Sequence, residues 1–312
     1  MIYIVVLNWN SAQDTIKCVK SLLQLKSTSD FKLVVCDNDS KVESFNEIKS
    51  YLEKFYSENL AVIGENNVKN HVVNLKDKIT LIKNNKNYGY AGGNNVGLRL
   101  ALNQKDVQYC WVLNNDTEVD SNALIALVNK MASKPSIGIC GSRLVEMKNR
   151  YKVQALGGIV NKWFCTTKEI GSELTVSEVI DESEWENKID FVVGASLFFS
   201  RKCLEEVGLL CEDYFLYYEE LDYCNRVKQN GFKVGIASQS IVFHEQGVST
   251  GKGVTRSEIS DYCQVKNRIL VSKKFYKNKT IFVKLSIFLV VFNRVFRLQF
   301  KRACKYLNFI LE

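Results

Sequence analysis

Short apolar, β-prone runs that each end in a polar cluster are the feature of this sequence that most restricts its fold. Residues 2–7 run into Asn8-Trp9-Asn10, and residues 31–36 run into Asp37-Asn38-Asp39-Ser40. Residues 79–82 meet an Asn/Gly-rich loop over 84–95, and residues 109–113 end in Asn114-Asn115-Asp116. Helical spacing follows several of these strands, with Ile16, Val19, Leu22 and Leu23 after the first and helices over 96–102 and 121–132 after later ones. Strands alternating with helices predict an α/β fold with a Rossmann-like, mostly parallel central sheet and flanking helices. The polar clusters then share one sheet edge, the usual place for ligands in open α/β sheets.

The second half is less regular. Pro135, the one proline, marks a break before a strand over 137–144. Residues 54–78 read as a helix end plus a polar peripheral insertion, and residues 145–190 show no clear period and read as a variable insertion. A strand over 191–200, a helix beginning over 202–207, a helix over 219–229 and a strand over 232–243 ending at His244 complete the pattern.

Composition narrows the function. The ten cysteines include no C-x-x-C pair and the only histidines are His71 and His244, so no zinc spacing exists, and reduced thiols in a cytosolic protein are expected. The formal charge of +8 is uneven: residues 251–312 hold 14 Lys/Arg against 3 Asp/Glu, the rest 28 against 31. Those late charges interleave with Ile281, Phe282, Leu285, Ile287, Phe288, Leu289, Val290, Val291, Phe292 and Phe296, which favours an anionic membrane surface over nucleic acid. The longest unbroken apolar run there is six residues, where a span needs ~20, so interfacial helices are expected. Met1 leads directly into a strand, without the basic start of a secretory leader. Neither G-x-G-x-x-G nor a P-loop is present, against dinucleotide oxidoreductases and P-loop NTPases.

Several side chains are candidates for chemistry. Asp116, at a strand's end, either holds a divalent cation or caps the next helix. His244 is either a metal ligand or a hydrogen-bonded structural residue. Glu219, Glu220 and Asp222 crowd the start of a helix, where the macrodipole favours acids, and one of them could serve as a general base. Tyr214-Phe215-Leu216-Tyr217-Tyr218 before them would keep such a base partly dry or stack a sugar ring, or would simply fill the core. Asp37, Asn8 and Asn10 stand at adjacent strand ends, and Gly92 lies in a glycine-rich stretch where backbone could approach a ligand.

In order along the chain, Ile4-Val5-Val6-Leu7-Asn8-Trp9-Asn10, Val35-Cys36-Asp37-Asn38-Asp39-Ser40, residues 87–97 and residues 113–117 resemble the donor-half motifs of family 2 glycosyltransferases of the GT-A fold. Gly194-Ala195-Ser196-Leu197-Phe198-Phe199, Phe215 through Asp222, Gly231-Phe232 and His244 continue the resemblance, which covers roughly residues 1–250 and points to the branch with bacterial rhamnosyltransferases and polysaccharide-assembly enzymes. It implies a nucleotide-sugar-binding half over 1–120 and an acceptor-binding half over 121–250 that includes the 145–190 insertion; the charge and apolar pattern of residues 251–312 adds a helical, basic, membrane-associating segment there.

Carried onto this chain, the resemblance implies that Asn8, Asn10, Asp37, Gly92, Asn94, Asn95, Asn114 and Asn115 bind the donor. Asp116 and His244 bind Mg²⁺ or Mn²⁺, Glu220 or Glu219 is the base, and Gly194, Tyr217, Tyr218 and Asp222 meet the acceptor. Two positions depart from the pattern: Glu220 replaces the family's usual aspartate, and Asn114 replaces the first acid of the fuller Asp-x-Asp form. The expected activity is inverting transfer of a hexose from a dTDP- or UDP-sugar to a saccharide, expected to be polyprenyl-diphosphate-linked, at the inner face of the cell membrane. A homodimer is left open. The rival readings are a catalytically silent membrane-binding scaffold of the same fold and a sugar nucleotidyltransferase. The latter needs a basic glycine-rich loop after the first strand, which Asn8-Trp9-Asn10-Ser11-Ala12 lacks.

Overall fold

The computed structural model describes residues 1–26, 30–74, 76–245 and 257–311. In chain order its strands and α-helices are β1 (Ile2–Asn8), α1 (Ala12–Leu22), β2 (Phe31–Asp37), α2 (Val42–Tyr56), β3 (Leu60–Gly64), β4 (Ile79–Lys83), α3 (Gly89–Leu102), β5 (Tyr109–Asn114), β6 (Thr117–Val119), α4 (Ala123–Ser133) and β7 (Ile137–Glu146). There follow β8 (Asn149–Ala155), β9 (Gly157–Asn161), β10 (Thr166–Ile170), α5 (Glu182–Lys188), β11 (Ser196–Ser200), α6 (Arg201–Val207), α7 (Glu219–Gln229), β12 (Lys233–His244), α8 (Glu258–Phe275), α9 (Thr280–Phe296) and α10 (Phe300–Leu311).

One sheet runs through the molecule in the order β3-β4-β2-β1-β5-β11-β7-β12-β6, with β8 alongside β7. Strands β3, β4, β2, β1 and β5 are parallel neighbours, as are β7 and β12. Between them β11 runs the other way, antiparallel to both β5 and β7. Strands β1 and β2 are buried on both faces, which is why they read as continuous apolar runs rather than as an alternating pattern. Ile2, Ile4 and Val6 enter the core beneath α1, α2 and α4, while Tyr3 and Val5 enter the opposite core with α3, α7 and α8.

Three expectations change. Residues 60–64 form an edge strand, not a bare polar insertion; they are only half-buried, so their apolar signal is weak. Residues 145–190 contain β8, the β9–β10 hairpin and α5, whose strands expose much of one face. The glycine-rich stretch is helical: α3 begins at Gly89, so Gly92, Asn94 and Asn95 lie within it rather than in a loop. Glycine is needed there for close packing. A Cβ on Gly93 would lie 2.6 Å from a methyl of Leu7, and one on Gly97 would lie 2.6 Å from Val5 Cγ1 and 3.0 Å from Cys36 Sγ.

The sheet also carries a buried polar chain: Trp111 Nε1 donates to Ser196 Oγ at 2.9 Å, and the Ser142 hydroxyl bonds those of Ser196 (2.8 Å) and Ser240 (2.9 Å). Each of these hydroxyls is satisfied, so the chain joins β5, β11, β7 and β12 without leaving an unpaired buried group. All ten cysteines are free thiols. Among the described residues no helix is long and apolar enough to cross a membrane.

The tight fit of α3 makes a prediction. Gly97→Val should overpack the α3–sheet contact and destabilise the fold by about 1–3 kcal/mol, read as a lower urea midpoint. An unchanged midpoint would mean that α3 can move off the sheet at little cost.

Candidate active site

The parallel register lines up the strand ends. Asn8 stands opposite Asp37, and Asn114 stands opposite Leu7, so the three polar clusters share one edge. There the buried Asn8 ties the chain together. Its Nδ2 donates to Asp37 Oδ2 (2.7 Å) and Ser40 Oγ (3.0 Å), and its Oδ1 accepts from Thr15 Oγ1 (2.8 Å). Asp37 is wholly buried, its Oδ1 accepting from the Ser40 amide at 3.1 Å.

After β5 the chain turns at Asn115-Asp116 into β6, which pairs with the end of β12 so that Thr117 stands opposite His244. This pairing delivers the two sequence candidates to each other. Asp116 Oδ1 lies 3.5 Å from His244 Nε2, and the Glu245 amide donates to the Asp116 carbonyl at 3.0 Å. Asp116 Oδ1 is buried and lacks a hydrogen-bond partner. A shielded carboxylate oxygen beside an imidazole nitrogen is a donor set that fits a cation such as Mn²⁺ or Mg²⁺. Among the described residues no third His, Cys, Asp or Glu completes a cluster, so donor phosphate and water oxygens would have to fill the remaining positions.

The acids lie at the N-terminus of α7. Glu219 is buried, Glu220 partly so, and the Oε2 atom of each is shielded without a partner. Burial pushes Glu219 well above the usual carboxylate range, reinforced by the charge of Glu220. Burial likewise raises Glu220 to about 7, helped by Glu169 on β10. A carboxylate balanced near neutrality suits a general base. Tyr90 on α3 donates its hydroxyl to the Gly194 carbonyl, and burial first, then the charges of Glu219, Glu220 and Asp116, push its phenol well above the usual range.

The turn entering α7 is strained. Tyr217 and Tyr218 have φ of 70° and 75°, left-handed conformations that cost a non-glycine residue about 1–3 kcal/mol each. Helix α8 holds this turn, since Asn267 Nδ2 donates to the carbonyls of Leu216 (2.9 Å) and Tyr217 (2.8 Å), and Tyr217 Oη bonds Ser260 Oγ at 2.8 Å. Tyr218 Oη donates inward to the Cys165 carbonyl at 2.7 Å.

Some sequence candidates sit elsewhere. Asp222 is fully buried and paired with Arg226 and with Lys274 of α8, so it clamps helices instead of meeting an acceptor. Asn95 is a buried anchor, exchanging bonds with the Leu210 backbone and donating to Glu212. Asn94 is buried within α3, its Nδ2 donating to the Tyr90 carbonyl, and the packed Gly92 faces Tyr88. Asn115 Nδ2 donates to Thr15 Oγ1 at 2.9 Å, toward α1. The hydrogen bonds of Asn8 are all spent inside the protein, so it positions Asp37 and Ser40. Asn10 is an exposed turn residue with φ 54°, and its Oδ1 accepts from the Lys41 amide. The Asn114 amide donates to the Ala195 carbonyl at 3.1 Å, and the neighbouring Gly194 carbonyl accepts from Tyr90. Sequence reasoning missed Tyr90, Gln154 and Glu169; Tyr90 sits in the quoted 87–97 motif, whereas nothing local marked the other two.

The sequence pattern of the Glycosyl transferase family 2 matches residues 3–208, and the chain belongs to that family. It is 23% identical over 234 residues to the low-salt glycan biosynthesis hexosyltransferase Agl10 of Haloferax volcanii, covering 74% of this chain and 73% of that protein. Its fold resembles GalNAc-T7, crystallised with UDP, GalNAc and Mn²⁺, at TM-score 0.66 and 15% identity over 91% of this chain. It also resembles the mannosyltransferase PcManGT of Pyrobaculum calidifontis, in complex with GDP-Man and Mn²⁺, at TM-score 0.57 and 12% identity over 88% of this chain. The chain spans only 49% and 64% of those two proteins. The α/β architecture is thus that of the GT-A glycosyltransferases.

The raised pKa of Glu220 has a consequence for stability. Its folded value, about 7, exceeds the ordinary 4.5, so its contribution is fully present below pH ~4.5 and lost as pH rises through ~7. Glu220→Gln should therefore stabilise the fold relative to wild type more at about pH 8 than at about pH 5 in urea titrations. Equal differences at both pH values would show that the carboxyl is not held in a water-poor setting.

Proposed function

We propose that this protein is an inverting hexosyltransferase that moves a sugar from a nucleoside-diphosphate donor, dTDP- or UDP-linked, to a saccharide hydroxyl. The observation that carries the reading is a buried, near-neutral carboxylate, Glu220, and the Asp116–His244 pair, with the charges of Glu220 and Asp116 both acting on the Tyr90 phenol. The Haloferax relative's hexosyltransferase name and the Mn²⁺ complexes of the structural neighbours support it.

In this mechanism Glu220 Oε2 accepts the proton of the acceptor hydroxyl as that oxygen attacks the anomeric carbon from the face opposite the diphosphate, and configuration inverts. Glu219, held neutral by burial, spares Glu220 a second charge beside it. The strained Tyr217-Tyr218 turn fixes the direction of both carboxyls, and the Asn8–Asp37–Ser40 knot shapes the nucleotide end. Mg²⁺ or Mn²⁺ bound by Asp116 and His244 would neutralise charge on the departing diphosphate. Residues 1–120 serve the donor and residues 121–250 the acceptor. A dTDP-rhamnose donor would suit the branch that the motifs resemble.

The acceptor is a lipid-linked saccharide at the anionic inner face of the cell membrane, and residues 251–312 hold the enzyme there. Exposed Ile281, Leu285, Phe288, Leu289, Phe292 and Phe296 form a helical stripe along α9. Trp163, from the β9–β10 turn, extends it by meeting Phe282 edge-to-face at 5.0 Å, and Lys279 covers the same indole. No acidic residue falls between Asp261 and Glu312, so the surround is basic. Helix α8 differs in that it packs into the core and supports the catalytic turn.

Two experiments test the reading. Thermal shift against UDP-, dTDP- and GDP-sugars with and without Mn²⁺ should show stabilisation by one nucleotide class, lost in Asp116→Ala. Activity with that donor should fall by roughly 10²-fold or more in Glu220→Gln, with inverted configuration in the product by NMR. No shift with any donor would favour the catalytically silent scaffold. Separately, sedimentation with anionic vesicles should pull down wild type and lose the Leu289→Asp/Phe292→Asp variant. Absence of vesicle binding together with a concentration-dependent dimer would assign the stripe to a second copy of the chain.

A further inference from the structure

Gln154 of β8 stands behind His244. It is 7% exposed, and its Oε1 lies 3.0 Å from His244 Nδ1, on the opposite side of the ring from Asp116. Its Nε2 points the other way, to Glu169 Oε2 at 3.4 Å. A carboxylate accepts and does not donate, so the Gln154 amide must turn its NH₂ to Glu169 and its carbonyl to His244. The carbonyl in turn requires a proton on His244 Nδ1. In the neutral ring the other nitrogen, Nε2, then carries the lone pair, and it lies 3.5 Å from Asp116 Oδ1, an oxygen that itself has no hydrogen-bond donor. Two acceptor atoms therefore lie 3.5 Å apart, an arrangement that favours a cation between or beside them.

We propose that Gln154 is a positioning residue, which fixes the His244 tautomer and holds its Nε2 lone pair ready for a divalent cation, with Glu169 setting the direction of the amide. The inference rests on the reading of Asp116 and His244 as the cation pair. It adds a residue from the 145–190 region, whose sequence shows no motif. Hydrogen bonds of this kind behind a metal-binding histidine are worth about 10- to 100-fold in metal affinity. The geometry also explains why a glutamine, which has both donor and acceptor, stands between a carboxylate and an imidazole that must remain a donor on that side.

The chain's two histidines make a direct test practical. In metal-free protein labelled with ¹⁵N-histidine, His244→Gln assigns the signals, and the imidazole shifts report which nitrogen carries the proton. Wild type should show the Nδ1–H form for His244. Gln154→Leu should move the proton to Nε2, toward Asp116, and weaken Mn²⁺ binding by about 10- to 100-fold in a Mn²⁺ titration. Gln154→Glu, which keeps an acceptor at the same place, should retain the Nδ1–H form. A Leu variant that melts like wild type yet keeps the Nδ1–H form, or binds Mn²⁺ as wild type does, would overturn the proposal. If the Leu variant does not fold, an Nε2–H form in wild type or in Gln154→Glu would overturn it equally well. Wild type showing Nδ1–H but no Asp116-dependent Mn²⁺ binding would instead remove the cation pair, and the proposed role of Gln154 in metal binding with it; retained Mn²⁺ binding with no tautomer change removes Gln154 alone.

Discussion

The antiparallel pairing of β6 with the last residues of β12 is the constraint on which the site depends. Three ladder positions, Val119 with Val242, Glu118 with Phe243 and Thr117 with His244, bring together segments more than a hundred residues apart. A side chain's face in a strand is fixed by its register, so a one-residue slip would turn His244 away from Asp116. Only Asn115 and Asp116 separate β5 from β6, so Asp116 sits directly before the β6–β12 ladder. The meeting of Asp116 with His244 is therefore a product of register.

The second constraint is the turn into α7. Two consecutive tyrosines in left-handed conformations persist only because other elements fix them, and here the fixing comes from Asn267 and Ser260 on α8. Asp222 adds to the clamp through Arg226 and Lys274. A buried carboxylate with two cationic partners and good geometry is costly to break by removing one partner. The C-terminal region thus has two distinct jobs: α8 supports the acids, while α9 presents the apolar stripe.

Much of this was legible in the sequence. The continuous apolar runs ending in Asn8, Asp37 and Asp116 marked parallel strands and their common edge, because strands buried on both faces cannot show alternation. The acids in the first turn of α7 and their aromatic lead-in marked a candidate site without saying which acids faced it. Asp222 and Asn95 misled because their spacing and type matched those of site residues, whereas their partners, Lys274 and the Leu210 backbone, are remote in sequence. The glycines of α3 looked like a ligand-binding loop, yet they serve helix–sheet packing against Leu7 and Val5. Edge strand β3 and the hairpin β9–β10 escaped because half-exposed strands carry little apolar signal.

By itself the sequence determined the α/β class, the edge on which polar groups gather and the separation of charge toward the C-terminus, since each follows from local periodicity or composition. Tertiary structure alone decided that Asp116 meets His244, that Glu220 rather than Asp222 keeps a free carboxylate oxygen, and that Gln154 stands behind the histidine. These depend on strand register and on which helix packs over which turn, and both are set by contacts between segments far apart in the chain.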